Sequence, residues 1–416
     1  MKKRATGEPD DVRMRGFARR TTVEATLAWL DAHARPLASE ICALEEAAGR
    51  VLSADVISPR DVPGFDRSMM DGFAVQARDV EGSSPYNRLP LEIVGESLPG
   101  RPFAGEITAG QAARIMTGAP LPRGADAVLP AELAEAEGSR VWAQGDVSPG
   151  KHVGRRGEDV AAGAVMLQAG RRLRPQDVGL LSSAGFAEAS VITRPQVQII
   201  LTGTELLPPG RAPSDFLIAD ANGPMLSALV ERDGGDLLPR KMVADDLPAI
   251  TAAIAAPADI TIVSGGSSVG QEDHVPMVLA ELGELAVHGI AMRPSSPCGM
   301  GRIGEKLVFL LPGNPVSCLC AYDFFAGRAI RILGGRERQW PYRAVRAPLL
   351  RKISSVIGRV DYARVKLISG NVEPLSIGGA STLSSTTRAD GFVVIDADSE
   401  GFGPGSEVTV YLYDLP

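Results

Sequence analysis

A chain of 416 residues is too long for one ordinary domain and implies three or four. Hydrophobic content of 44% beside 22% charged residues describes a globular protein, and a net charge of −7 gives no overall attraction to nucleic acid. No run of 18 apolar residues exists, and the seven Lys or Arg among the first twenty residues lack the apolar core of a secretory signal, so no membrane association and a cytoplasmic location are expected.

Residues 1–20 are expected to form a basic, disordered tail. A helical pattern then starts at Thr22 with Val23, Leu27 and Leu30, and Ala43 to Leu52 reads as a second short helix stopped by Gly49. Between residues 60 and 149, short β-like runs (Phe73-Ala-Val, Leu91-Glu-Ile-Val, Ala113-Arg-Ile-Met, Ala127-Val-Leu) alternate with Gly/Pro turns, the pattern of a small β module. Mixed structure returns at Gly150, where Pro175 to Ser183 reads as a helix with proline in its first turn and glycine beyond its end.

The segment 194–334 alternates strand and helix. Val197 to Leu201, Asp259 to Val263 and Leu307 to Leu311 read as strands, and helices follow at Pro224, Asp246, Val275 and Pro315. That alternation predicts a parallel sheet covered on both faces. Residues 335–416 return to β-like runs. The expected fold class is therefore multidomain α/β plus β. It has an N-terminal elongated αβ segment (21–59 and 150–193), an inserted β-barrel-like module (60–149), a central three-layer α/β domain with a parallel-rich sheet (194–334) and a C-terminal small β-barrel (335–416).

Three strand-end loops carry the chemistry. They are Leu201-Thr-Gly-Thr-Glu-Leu, Ser264-Gly-Gly-Ser-Ser-Val-Gly-Gln-Glu-Asp-His and Leu311-Pro-Gly-Asn-Pro. Ligands bind at the carboxyl ends of such strands, and turns of this kind present free amides to oxyanions. Thr202, Gly203, Ser264, Gly265, Gly266, Ser267, Pro312, Gly313, Asn314 and Pro315 are the candidates from these loops. Neither a phosphate-binding Gly-Lys-Ser/Thr loop nor a dinucleotide fingerprint is present. Upstream, Asp66 and Asp71 flank a turn entering a strand, and Arg155-Arg-Gly-Glu-Asp packs two cations and two acids together; both also suit plain solvated turns. The four cysteines, Cys42, Cys298, Cys318 and Cys320, show no metal spacing.

The ordered set of motifs resembles the molybdopterin molybdenumtransferase (MoeA) family, to which the gephyrin E domain is related. The carriers are Phe65-Asp-Arg-Ser-Met-Met-Asp-Gly-Phe-Ala-Val, Ile115-Met-Thr-Gly-Ala-Pro, Gly157-Glu-Asp, Thr202-Gly-Thr-Glu-Leu, Ser264-Gly-Gly-Ser-Ser-Val-Gly-Gln-Glu-Asp and Leu311-Pro-Gly-Asn-Pro-Val-Ser. The resemblance implies that the central domain is the molybdopterin-binding one. It implies insertion of molybdate into adenylated molybdopterin with release of AMP, assisted by Mg²⁺. It places catalytic roles on Asp71, Asp159, Glu205 and Asp273, with Asp71 and Glu205 on the metal. Substrate contacts fall on Thr117, Asp245 or Asp246, Arg293, Pro312, Pro315, Arg359, Arg364 and Ser381, and on the loop residues above. It also implies a homodimer, with molybdoenzymes or cofactor-assembly proteins as further partners. This chain departs from the family at Thr204, where the family has Asp, at Gly289 and Ser296, where it has Lys, and at Ser267, where it has Val; Arg293 keeps a charge. A non-catalytic molybdopterin carrier and a hydrolase like the CinA proteins are the alternative readings.

Overall fold

The computed structural model describes residues 20–214, 216–266, 274–376 and 378–413. Ser267, Asp273 and residues 1–19 of the expected tail lie outside the described residues. Two compact units emerge: one comprises residues 41–48 and 52–190, the other the rest of the described chain.

The first unit is built on a six-stranded sheet, in the order Ala127–Pro130, Gly72–Val75, Gln111–Ile115, Leu89–Ser97, Arg140–Ala143, Ala134–Glu137. Neighbours run antiparallel except Leu89–Ser97 beside Gln111–Ile115. Phe73, Val75, Leu91, Leu129 and Val141 share one core, as the β-like runs anticipate. The Pro175–Ser183 helix forms with proline in its first turn, and its N-terminus is closed by Asp177, which accepts from the Arg174 amide at 2.9 Å. The helix expected over Ala43 to Leu52 does not form. Ser39–Ala43 is a strand, and only Leu44–Glu46 makes a single 3₁₀ turn before Gly49 takes a φ of 79°. One turn leaves too few backbone bonds to sustain an α-helix.

In the second unit the central sheet has the order Asp236–Leu237, Gln196–Thr202, Ile260–Ser264, Lys306–Leu311, Gly299–Ile303, Glu284–His288, with Lys241–Val243 also on Gln196–Thr202. Side-chain alternation sorts its strands onto two faces. Val197, Ile199, Leu201, Ile262 and Phe309 meet the helix Asn222–Asp233 and the stretch from Pro315 to Leu333. Ile200, Val263, Val308 and Leu310 meet Leu247–Ala255 and Val275–Leu282 on the other face. This is the three-layer arrangement expected, but the sheet is mixed. Gly304, at φ 60°, turns Gly299–Ile303 back onto Lys306–Leu311, and a tight hairpin can only be antiparallel.

The predicted long helix from Pro315 is two α-helical pieces, Pro315–Ala321 and Gly327–Leu333, joined by a π-helical turn over Tyr322–Ala326. Around it lies a buried polar network. Asp233 accepts from Arg331 Nη1 at 2.9 Å, Arg232 Nη2 at 2.8 Å and the Tyr322 hydroxyl at 3.0 Å. Asp323 accepts from the Tyr342 hydroxyl at 2.9 Å.

The C-terminal sheet runs Met292–Arg293, Val360–Ile368, Gly391–Ile395, Glu407–Leu412, Arg343–Pro348, with Asn371–Ser376 paired to Val360–Ile368. Its first strand comes from the central segment, so the boundary expected at residue 334 is crossed by a ladder. Met292 pairs with Val360 and Arg293 with Asp361.

Candidate functional site

At the carboxyl ends of Gln196–Thr202, Ile260–Ser264 and Lys306–Leu311 lies a pocket of about 610 Å³. Thr202, Gly203, Glu205, Ser264, Gly265, Gly266, Pro312, Gly313, Asn314 and Pro315 line it, so the described parts of all three loops meet there as their sequences predict. Gly265 sits at φ 102°, and a Cβ there would lie 2.3 Å from the Thr202 carbonyl oxygen; only glycine lets these loops approach. Asn222 ties them together: its Nδ2 donates to Ser264 Oγ at 2.9 Å and to the Gly313 carbonyl at 2.7 Å. Ser381, from the C-terminal segment, reaches the rim and donates to Asn314 Oδ1 at 3.1 Å.

Among the described residues, three oxygens of lining residues are buried without a hydrogen-bond partner: Thr202 Oγ1, Asp220 Oδ2 and Asn222 Oδ1. Unsatisfied buried acceptors are costly unless a ligand or solvent supplies donors. Asp220 and Asn222 were not among the sequence-predicted site residues. Asp220-Ala-Asn reads only as a helix cap, and Asp220 Oδ1 does accept from the Gly223 amide at 2.8 Å. Its second oxygen is what the cap reading misses. Gly223 is fixed by this contact, since a Cβ there would lie 2.2 Å from Asp220 Oδ2. Of the adjacent acids, Asp245 lines the pocket and accepts from the Thr204 amide at 3.2 Å. Asp246 instead caps Leu247–Ala255 by accepting from Ala249 N at 3.0 Å.

A second cleft, of about 660 Å³, adjoins the first along Pro297, Pro312 and Asn314. Arg20, Arg293 and Arg359 line it, and no acid does so among the described residues. Beneath them Asp361 is fully buried; it accepts from Arg293 Nη2 at 2.5 Å and Ser355 Oγ at 2.8 Å, and lies 3.1 Å from Arg359 Nε. Among the described residues the hydroxyl oxygen of Ser296, which lines the cleft, is buried without a partner. Arg364 does not line the cleft. Its side chain is fully buried and donates to the carbonyl of Gly378, which does.

Asp71, Thr117 and Asp159 belong to the other unit. There the chain around residues 66–71 is bonded to 116–121 and 152–156. Ser68 N donates to the Ala119 carbonyl at 2.9 Å, Met69 N to that of His152 at 2.9 Å and Arg156 N to Asp66 Oδ1 at 2.8 Å. Asp71 Oδ1 accepts from the Thr117 amide at 2.7 Å and the Thr117 hydroxyl at 2.8 Å, and these bonds hold the exposed carboxyl below its ordinary 3.8. Asp66 is lowered likewise, first by the Arg156 amide. Arg155 and Arg156 spend their side chains on Asp66 and Asp61, 89 and 95 positions upstream, while Asp159 stays exposed.

Among the described residues no group of three or more His, Cys, Asp or Glu could hold a metal ion. All four cysteines are buried and unbridged, and burial pushes the Cys318 thiol up to about 12. No described helix is long and apolar enough to cross a membrane.

Residues 21–185 match the MoeA N-terminal region (domain I and II), 198–331 a probable molybdopterin binding domain, and 346–413 the MoeA C-terminal region (domain IV). Molybdopterin molybdenumtransferase 2 of Mycobacterium tuberculosis is 34% identical over 380 residues, 88% of this chain and 93% of the relative. A molybdopterin molybdenumtransferase of Haemophilus influenzae is 32% identical over 387 residues, 90% of this chain and 94% of the relative. The crystal structure of a molybdopterin biosynthesis MoeA protein from Pyrococcus horikoshii superposes with a TM-score of 0.80 at 32% identity, covering 95% of this chain and all of that one. The motifs, the layered central sheet and these full-length similarities agree: this chain belongs to the MoeA family.

Proposed function

We propose that this protein is a molybdopterin molybdenumtransferase of molybdenum cofactor biosynthesis, inserting molybdate into adenylated molybdopterin and releasing AMP. The observation that carries the reading is the pair of adjoining clefts sharing Pro297, Pro312 and Asn314. One offers strand-end amides and unpartnered acceptor oxygens, suited to a phosphorylated ligand with N–H donors. The other offers guanidinium groups, suited to an oxyanion. Neighbouring sites for two reactants convert a bimolecular encounter into a positioned one. The names of the full-length relatives support the same reading.

Mg²⁺ would enter with the substrate. Mg²⁺ is commonly held by one or two carboxylates together with substrate phosphates and water, and does not need an all-protein cage. Glu205 and Asp245 at the pocket, and Asp71 in the other unit, are single carboxylates of that kind. Such an ion would offset charge on the phosphoanhydride as it breaks. Asp71 and Asp159 are exposed acids whose proposed role is to complete the site within a homodimer.

The test is AMP release by the purified full-length chain from adenylated molybdopterin, with and without molybdate. Molybdate-dependent release is expected, reduced at least a hundredfold in Asp71→Asn, as is typical when a positioned acid–base group is lost. Tight binding of adenylated molybdopterin with no molybdate-dependent release would identify a carrier and overturn the transferase reading.

A further inference from the structure

The family's basic segment is depleted here, with Gly289 and Ser296 at lysine positions, yet the cleft it borders is not short of charge. A third guanidinium arrives from far upstream in sequence. Thr21 forms a parallel bridge with Ile290: its amide donates to the Gly289 carbonyl at 2.9 Å, and its carbonyl accepts from Ala291 N at 2.8 Å. The same short segment pairs on through Met292 with Val360 and Arg293 with Asp361. Arg20, Arg293 and Arg359 therefore stand on three laced chain segments around one cleft.

Their electrostatic situations differ. Arg293 and Arg359 share the single carboxylate of Asp361. Arg20 is exposed and has no carboxylate or hydrogen-bond acceptor among the described residues. Among the described residues, the three lining cations against one buried acid leave two positive charges, the complement of a tetrahedral dianion. An arginine with no side-chain partner among the described residues, anchored through its neighbour's backbone, can point a planar fork at two oxygens of such an ion.

We propose that Arg20 is an anion-binding residue of this cleft and supplies the cation that Gly289 and Ser296 no longer provide. The inference rests on the transferase reading for the identity of the anion, molybdate, but not for the existence of the site. The assignment gives a role to the segment just before the first helix, Val23–His33, whose own cap, Thr22, fixes where that segment ends.

The experiment uses the full-length chain, Arg20→Gln and Arg20→Lys. It reads the molybdate dependence of AMP release and, separately, calorimetric binding of molybdate alone. Arg20→Gln is expected to raise the KM for molybdate and weaken calorimetric binding by about tenfold, the usual worth of one charge-assisted bond. The KM for adenylated molybdopterin should stay within twofold. Arg20→Lys should recover part of the loss, because charge is kept and only the fork is gone. An unchanged molybdate KM in Arg20→Gln overturns the assignment, as does an equal loss for both substrates, which would mark a folding defect. If the wild type releases no AMP, the transferase reading fails and calorimetry decides Arg20 alone. A tenfold weakening in Arg20→Gln then supports the anion site, and equal or absent molybdate binding overturns it.

Discussion

Asp71 shows how much an exposed carboxylate can be conditioned by one neighbour. The Thr117 amide and then its hydroxyl both donate to the same oxygen, and they stabilise the charged form. Thr117→Val removes the hydroxyl bond and keeps the amide, so the Asp71 pKa should rise part of the way back toward 3.8. If the ionised acid is needed, the acid limb of the pH–rate profile moves to higher pH by the same amount. A limb that does not move would detach Asp71 from the rate. The pair is separated by 46 positions, so no local spacing reveals it; only the resemblance placed both residues at a site. Asp220 shows the opposite limit. Its cap signal is readable and true of one oxygen, and that sufficiency hides the second oxygen in the pocket. Asp245 and Asp246 are indistinguishable as letters, and the structure separates them because helix geometry takes only the second as cap.

Among elements, the Pro175–Ser183 helix was the most legible, because proline and glycine mark its ends by backbone restriction alone. Its stability is concentrated at one position. The Asp177 carboxylate closes the N-terminus and accepts from Arg174 and Arg171, which hold its pKa far below the ordinary value. A depressed carboxylate stabilises the fold fully above its unfolded pKa; that stability starts to decline below about 3.8 and is lost only as pH falls on through the much lower folded value. Asp177→Ala should cost about 2 kcal/mol at neutral pH, with the gap from wild type narrowing progressively as pH falls from about 4 to about 2, as read by denaturant midpoints across that range and at pH 7. A gap undiminished down to about pH 2 would mean that packing, not charge, is what the substitution removes. The elements that misled were those with little local signal. A ten-residue apolar pattern after Ala43 yields one 3₁₀ turn, and Met292–Arg293 is a two-residue strand before a proline, with no period to detect.

At the scale of the whole molecule, alternation of strand and helix was enough to anticipate the three central layers, since burying both faces of a sheet leaves few other arrangements. What it could not anticipate is how the central and C-terminal sheets are sewn together, by the Met292–Arg293 ladder and by the network around Asp233 and Asp323. The π turn at Tyr322–Ala326 carries that second seam. In effect it is one surplus residue, and each residue of an α-helix advances the side-chain direction by about 100°. The wider π turn absorbs that residue, so the helical pieces on either side keep a common phase. One further residue inserted after Ala326 would rotate Gly327–Leu333 by about 100° and swing Arg331 off Asp233. Breaking such a buried pair costs about 3–5 kcal/mol, so the lengthened chain should unfold at a much lower denaturant midpoint. A midpoint equal to wild type would show that the helix absorbs the change. Within this stretch, then, inheritance should tolerate exchange of one side chain for another far better than the gain of a codon.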